Sequence, residues 1–244
     1  TFRQGDSHLC DAALSSRRTR CSTCPARDLG DESNIPMPRK RRVSPDNSIH
    51  HVLNRGNRRH TIFHKHGDYA AFMNILGETL VKVAMRILAV CLMPNHFHLV
   101  LWTRQGSDLS AYMQLAMNAH VRRHHQHYGT TGLGHIYQGR FKNFLIQSDV
   151  HLYNVLRYVE GNALRAGLVT DARLWRWSSL SQPFTPDGHA YLTPWPVPRP
   201  DNWVELVNGG LSLEELQRVQ RSVKKSVPYG DAKWVRAMAG RHRL

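Results

Sequence analysis

The sequence predicts an α+β fold: a ferredoxin-like antiparallel sheet with helices on one face, followed by a small helical C-terminal extension. Three observations predict it. Segments with strand and helix periodicity alternate in the order β-α-β-β-α-β. The middle two strands are separated only by Pro94-Asn95, a turn signal that makes them a hairpin. Each remaining connection holds an amphipathic stretch long enough for a crossover helix. In this layout the sheet face away from the helices is left open for a large ligand.

Residues 49–55 open the sheet as a short strand around Val52 and Leu53, closed by the Gly56-Asn57 turn signal. Residues 67–84 carry Tyr69, Phe72, Met73, Leu76, Leu80 and Val83 at three- and four-residue spacing, as an amphipathic helix does. The hairpin strands follow at 87–93 and 96–103. Asp108 is a candidate N-cap for a helix that carries Tyr112, Leu115 and Ala119 and runs to about residue 128. Its end, 120–127, is basic and histidine-rich and reads as a helix flank rather than a metal site. After a loop at 129–134, residues 136–146 alternate as a fourth strand. Asp149 caps a last helix to residue 165, with Gly167 just past its end. Trp175 and Trp177 read as core anchors.

Beyond this domain, set at residues 37–182, residues 183–210 read as a proline-rich linker. Residues 211–244 hold two helices, the first opened by the capping box of Ser212 and Glu215. Their basic residues, Arg218, Arg221, Lys224, Lys225, Lys233 and Arg236, suit either a DNA-binding helical pair or a strap on the preceding domain.

Charge narrows the partner. The chain carries 33 Lys+Arg against 18 Asp+Glu, a net +15, which points to a polyanion, with nucleic acid the default. A membrane surface competes for that charge, but the apolar stretch at 81–93 is interrupted by Lys82 and Arg86, so no membrane span is expected. The N-terminus lacks the apolar run of a secretory signal. Four cysteines in 244 residues make no disulfide framework and fit a reduced, cytoplasmic setting. Residues 1–36 balance five basic against five acidic side chains, so the whole excess belongs to residues 37–244. That polar, aperiodic N-terminal segment reads as a disordered tail or an over-long start before Met37. Its Cys10, Cys21 and Cys24 invite a zinc reading with His8, for which one Cys-x-x-Cys with an irregularly spaced third cysteine is a weak signal.

The chemistry lies in two short segments. His96 and His98, separated by one residue on a strand, point to the same face and can share one divalent ion. The helix before Arg165 carries Asn154, Tyr158 and Asn162 at intervals of four, so Tyr158 and Asn162 are neighbours on one stripe. A phenol there can serve as nucleophile and an amide oxygen as a third ligand. Tyr153 is the rival nucleophile, about 140° around the helix from Tyr158, so both cannot address one site.

These segments resemble one family. Residues 92–101 (LMPNHFHLVL), 134–142 (GHIYQGRFK) and 156–169 (LRYVEGNALRAGLV) look like the IS200-like, REP-associated tyrosine transposases. That family carries the HUH motif, two histidines flanking a hydrophobic residue, and a single catalytic tyrosine. Residues 52–58 and 175–179 are similar too. The resemblance implies that His96 and His98 are metal ligands with Asn162 as the third, and that Tyr158 is the nucleophile. It implies Mg²⁺ or Mn²⁺ as cofactor, and cleavage and joining of single-stranded or hairpin-forming, REP-like DNA through a 5′-phosphotyrosine link. Asn162-Ala163 stands where the family usually has Asn-Pro, and Gly161 is expected to loosen the last helical turn.

Arg55, Arg58, Arg59, Arg140 and Lys142 are the expected DNA contacts, with Tyr137 or Phe141 available to stack on a base. Two other readings stay open, a domesticated DNA-binding protein without cleavage and an HUH relaxase or replication initiator. Monomer and homodimer are both compatible with the sequence.

Overall fold

The computed structural model describes residues 44–181 and 191–242. The expected tail at 1–36, with its cysteines, lies outside them. Four strands, β1 (Ile49–Arg55), β2 (Arg86–Met93), β3 (His96–Trp102) and β4 (Lys142–Ile146), form one antiparallel sheet in the order β2-β3-β1-β4. This is the ferredoxin-like arrangement expected from the element order.

The crossover helices α1 (His66–Leu80) and α2 (Asp108–Tyr128) share one face. Tyr69, Phe72, Met73 and Leu76 of α1 and Tyr112, Met113 and Ala116 of α2 meet Val52, Leu92, Phe97, Leu99 and Leu101 of the sheet. Gly129, with φ 61°, ends α2 in the left-handed conformation that suits glycine there.

The opposite face is not open. Helix α3 (Val150–Glu160) lays Leu152, Val155, Leu156 and Val159 against Ile49, Val100, Phe144 and Ile146. Helices α5 (Trp203–Asn208) and α6 (Leu213–Lys225) extend that layer through Trp203, Val207 and Val219. The reason lies in β2, where every residue after Arg86 is buried, so both sheet faces need cover. Burying each large apolar side chain on either face stabilises the fold by about 1.5–3 kcal/mol.

Two other expectations change. The fourth strand starts at Lys142 rather than 136, because Tyr137 and Phe141 turn into the α1–α2 core. The described part of the proline-rich stretch is packed rather than a bare linker. There Trp195 Nε1 donates to the Leu88 carbonyl at 2.9 Å, and α5 buries Trp203.

The C-terminal end of α3 is anchored by a buried carboxylate. Glu160 accepts from Ser179 Oγ and from Trp203 Nε1, both at 2.6 Å. Burial raises its pKa, opposed by those two bonds. Just beyond it the helix breaks at Gly161 and resumes as the short α4 (Asn162–Arg165). The final helix, α7, spans Ala232–His242. Helix α6 is strapped onto the domain through buried Val219 and Ser222, with Arg221, Lys224 and Lys225 exposed on its outer side and Arg218 turned back to His151 Nε2 at 3.3 Å.

Candidate active site

Strand alternation and register bring the candidate residues together. In β3, His96, His98 and Val100 face α3, while Phe97, Leu99 and Leu101 face α1 and α2. Antiparallel pairing sets Arg55 of β1 opposite His96 and Leu53 opposite His98. The rings of His96 and His98 are edge to face with centroids 5.0 Å apart. Tyr158 of α3 lies edge to face against His98, with ring centroids 5.8 Å apart.

A third histidine that sequence reasoning missed completes the group. His51 of β1 is wholly buried, and its Nε2 is hydrogen-bonded to His98 Nδ1 at 2.8 Å. On the other side, Asn95 Oδ1 accepts from His96 Nδ1 at 2.6 Å. Both candidate ligands thus engage Nδ1 and keep Nε2 for another partner, the pattern of metal-bound histidines with their outer hydrogen bonds in place.

The imidazoles are also neutral, as ligands must be. Burial, then the Arg55 and Arg165 guanidinium groups, lowers His96 to about 4. Burial first, and then His96, His51 and the same two arginines, holds His98 well below its ordinary value. Burial lowers His51 to about 3.

The third candidate ligand, Asn162, is buried. Its Oδ1 accepts from Arg165 Nη2 at 3.0 Å and keeps a second lone pair, while Nδ2 has no partner among the described residues. Among those residues no group of three His, Cys, Asp or Glu side chains is placed to hold a metal. A metal held here would rest on two imidazoles and the Asn162 amide oxygen, and these donors fit a divalent ion with mixed N and O ligation.

Tyr153 is engaged elsewhere, its hydroxyl donating to the Pro198 carbonyl at 2.5 Å and its ring against Trp203. Arg58 and Arg59 follow β1 on an exposed turn with left-handed φ of 50° and 62°. Lys142 pairs with Leu53 on the face that bears the histidines, and Arg140 precedes the strand. Among the described residues none of Arg55, Arg58, Arg59, Arg140 and Lys142 is ion-paired. Tyr137 and Phe141 are not available to stack on a base. Both are 6% exposed in the core, and the Tyr137 hydroxyl is bonded to His120 Nδ1 at 2.6 Å. Trp177 is a core anchor, stacked on Tyr69 at 5.0 Å, and Trp175 Nε1 donates to the Leu92 carbonyl at 2.8 Å.

With this geometry in view, residues 45–162 match the family model described as "Transposase IS200 like". Over those residues the chain is similar to the IS200-like transposases. A curated relative in Haemophilus influenzae, named a REP-associated tyrosine transposase, is 26% identical over 120 residues, which are 45% of this chain and 66% of that protein. A solved REP-associated tyrosine transposase, bound to a REP hairpin, superposes with a TM-score of 0.51 at 18% identity. The superposition covers 65% of this chain and 92% of that one, and it supports the fold. No helix among the described residues is long and apolar enough to cross a membrane.

Proposed function

We propose that this IS200-like domain is a metal-dependent tyrosine transposase that cleaves and joins single-stranded DNA at hairpins of the REP type. The observation that carries the reading is the meeting of Tyr158, the best-placed nucleophile, with His96 and His98, two neutral imidazoles whose Nε2 atoms are free for a ligand. A divalent ion, Mg²⁺ or Mn²⁺, on His96, His98 and Asn162 would supply charge to polarise the scissile phosphate.

The remaining chemistry belongs to the chain. The Tyr158 oxygen attacks phosphorus, a P–O bond to the phenol forms and the bond to the 3′ oxygen breaks. The phenol proton is lost and the departing 3′ oxygen gains one. The 5′-phosphotyrosine keeps the bond energy, so a second 3′-OH reverses the step and joins strands without ATP. Arg55, Arg58, Arg59, Arg140 and Lys142 hold the backbone through phosphate contacts, consistent with the hairpin bound by the solved relative. The setting is the DNA of a bacterial cytoplasm.

The test uses end-labelled hairpin DNA from palindromes beside the gene, with wild-type protein and Tyr158→Phe, in Mn²⁺ or EDTA. A covalent protein–DNA band that needs both metal and Tyr158 is expected. Tight binding with no adduct across several hairpins and both metals would instead identify a DNA-binding protein that has lost cleavage.

A further inference from the structure

We propose that Arg165 is a positioning residue that holds the Tyr158 phenol and the Asn162 carboxamide in one register. The clamp rests on geometry alone, and its consequence for DNA cleavage rests on the function proposed above. Arg165 ends α4, seven residues after Tyr158. At about 100° per residue that is nearly two full turns, so the two residues lie on the same side of the helix.

The side chain folds back over the break at Gly161. Its guanidinium carbon lies 4.1 Å from the centre of the Tyr158 ring. Nη1 and Nη2 donate to the Tyr158 carbonyl at 3.2 and 3.1 Å, and Nη2 also donates to Asn162 Oδ1 at 3.0 Å. One rigid planar fork therefore touches the nucleophile's ring, its backbone and the candidate third ligand.

Each contact constrains something that the chemistry needs. The stack over the ring limits how far the phenol can swing away from His96 and His98. The bond to Oδ1 decides which end of the amide is oxygen. Asn162 Nδ2 has no partner among the described residues that would otherwise hold the amide this way round. Capping the carbonyls at the broken end of α3 is the purely structural role open to Arg165, and any donor serves for that. A lysine can cap and keep the charge, but it cannot stack flat on the ring while forking to two oxygens. Arg165→Lys therefore separates the two roles.

The experiment places 3-fluorotyrosine at position 158 of the full chain and compares wild type, Arg165→Lys and Arg165→Gln. Three quantities are read: the ¹⁹F resonance, hairpin affinity, and the single-turnover rate of covalent adduct formation in Mn²⁺. In Arg165→Lys the melting temperature should stay within a few degrees of wild type, and hairpin affinity within about threefold. The adduct rate should fall about 100-fold, as misplacement of a reacting group does. The fluorine resonance should move clearly away from its wild-type position in both variants. An unchanged resonance in both, or wild-type adduct rates in Arg165→Lys, would overturn the clamp. Should the wild-type protein form no adduct at all, the proposed function fails, and the fluorine resonance alone still decides the clamp.

Discussion

Acid should unfold this domain sooner than its carboxylates alone would. Burial lowers His50, His51 and His120 to about 3 and His96 to about 4, and His98 lies well below its ordinary value. All five are neutral in the folded state, whereas in the unfolded chain each takes a proton near pH 6.5. The unfolded state therefore binds more protons below that pH, so stability is full above it and falls as pH drops toward the folded values. Each histidine removes about 1.4 kcal/mol between about pH 7.5 and 5.5, or roughly 7 kcal/mol for the five. That is comparable with the 5–15 kcal/mol that typically holds a domain together. At about 2–4 °C per kcal/mol for a domain of this size, the melting temperature should drop by about 15–30 °C over the same interval. Carboxylates with lowered pKa, such as Asp68, act only at lower pH. Thermal melts by circular dichroism in EDTA measure the effect. His120→Gln, on the face away from the site, should shrink the drop by about one fifth. A melting temperature that is flat from about pH 7.5 to 5.5 would refute the reasoning, and so would a His120→Gln slope equal to wild type.

Other perturbations test the packing around the site. Glu160→Gln should cost about 1 kcal/mol or less, because the Ser179 hydroxyl can turn to accept from the new amide while Trp203 still donates to its oxygen. Glu160→Ala leaves both groups unpaired in the core and should cost about 3–6 kcal/mol in urea unfolding, counting each lost partner and the cavity. Because its folded pKa is raised, Glu160 contributes stability at low pH that is lost as pH rises through that value, and Glu160→Gln should remove this dependence. Gly161→Ala should destabilise despite alanine's advantage of about 1 kcal/mol in helices, since a Cβ there meets the Arg157 carbonyl at 2.9 Å. His51→Phe removes the partner of His98 Nδ1 and should weaken Mn²⁺ binding 10- to 100-fold by calorimetry, the usual effect of losing such a support. Arg59→Gly relieves a left-handed φ and should stabilise by about 1 kcal/mol, while hairpin affinity falls and its salt dependence drops by about one counterion.

Much of the architecture was legible because its signals are local. The alternation of β1, the Pro94-Asn95 hairpin and the stripe of α1 each follow from neighbours in sequence. The cover over the second sheet face was written in β2 as well, in a run that is apolar on both sides and not alternating. Read as one half of a hairpin, it left a face open that α3, α5 and α6 cover. Residues 136–141 imitated a strand because Tyr137 and Phe141 are two separate anchors into the α1–α2 core.

The candidate residues His96, His98, Tyr158 and Asn162 could be picked out from spacing and motif. His51 was not, because its contact with His98 depends on the register between β1 and β3. Arg165 left a usable signal, seven residues beyond Tyr158 on the same helix face, but the break at Gly161 that lets it fold back is a tertiary matter.

The central claim is that Tyr158 carries the DNA. Its most direct test is tandem mass spectrometry of the peptide left attached to a hairpin oligonucleotide after proteolysis of the adduct formed in Mn²⁺. The account predicts a phosphodiester link on Tyr158 and an unmodified Tyr153. A link on Tyr153 or any other residue, or cleaved hairpin with no linked peptide, would contradict it.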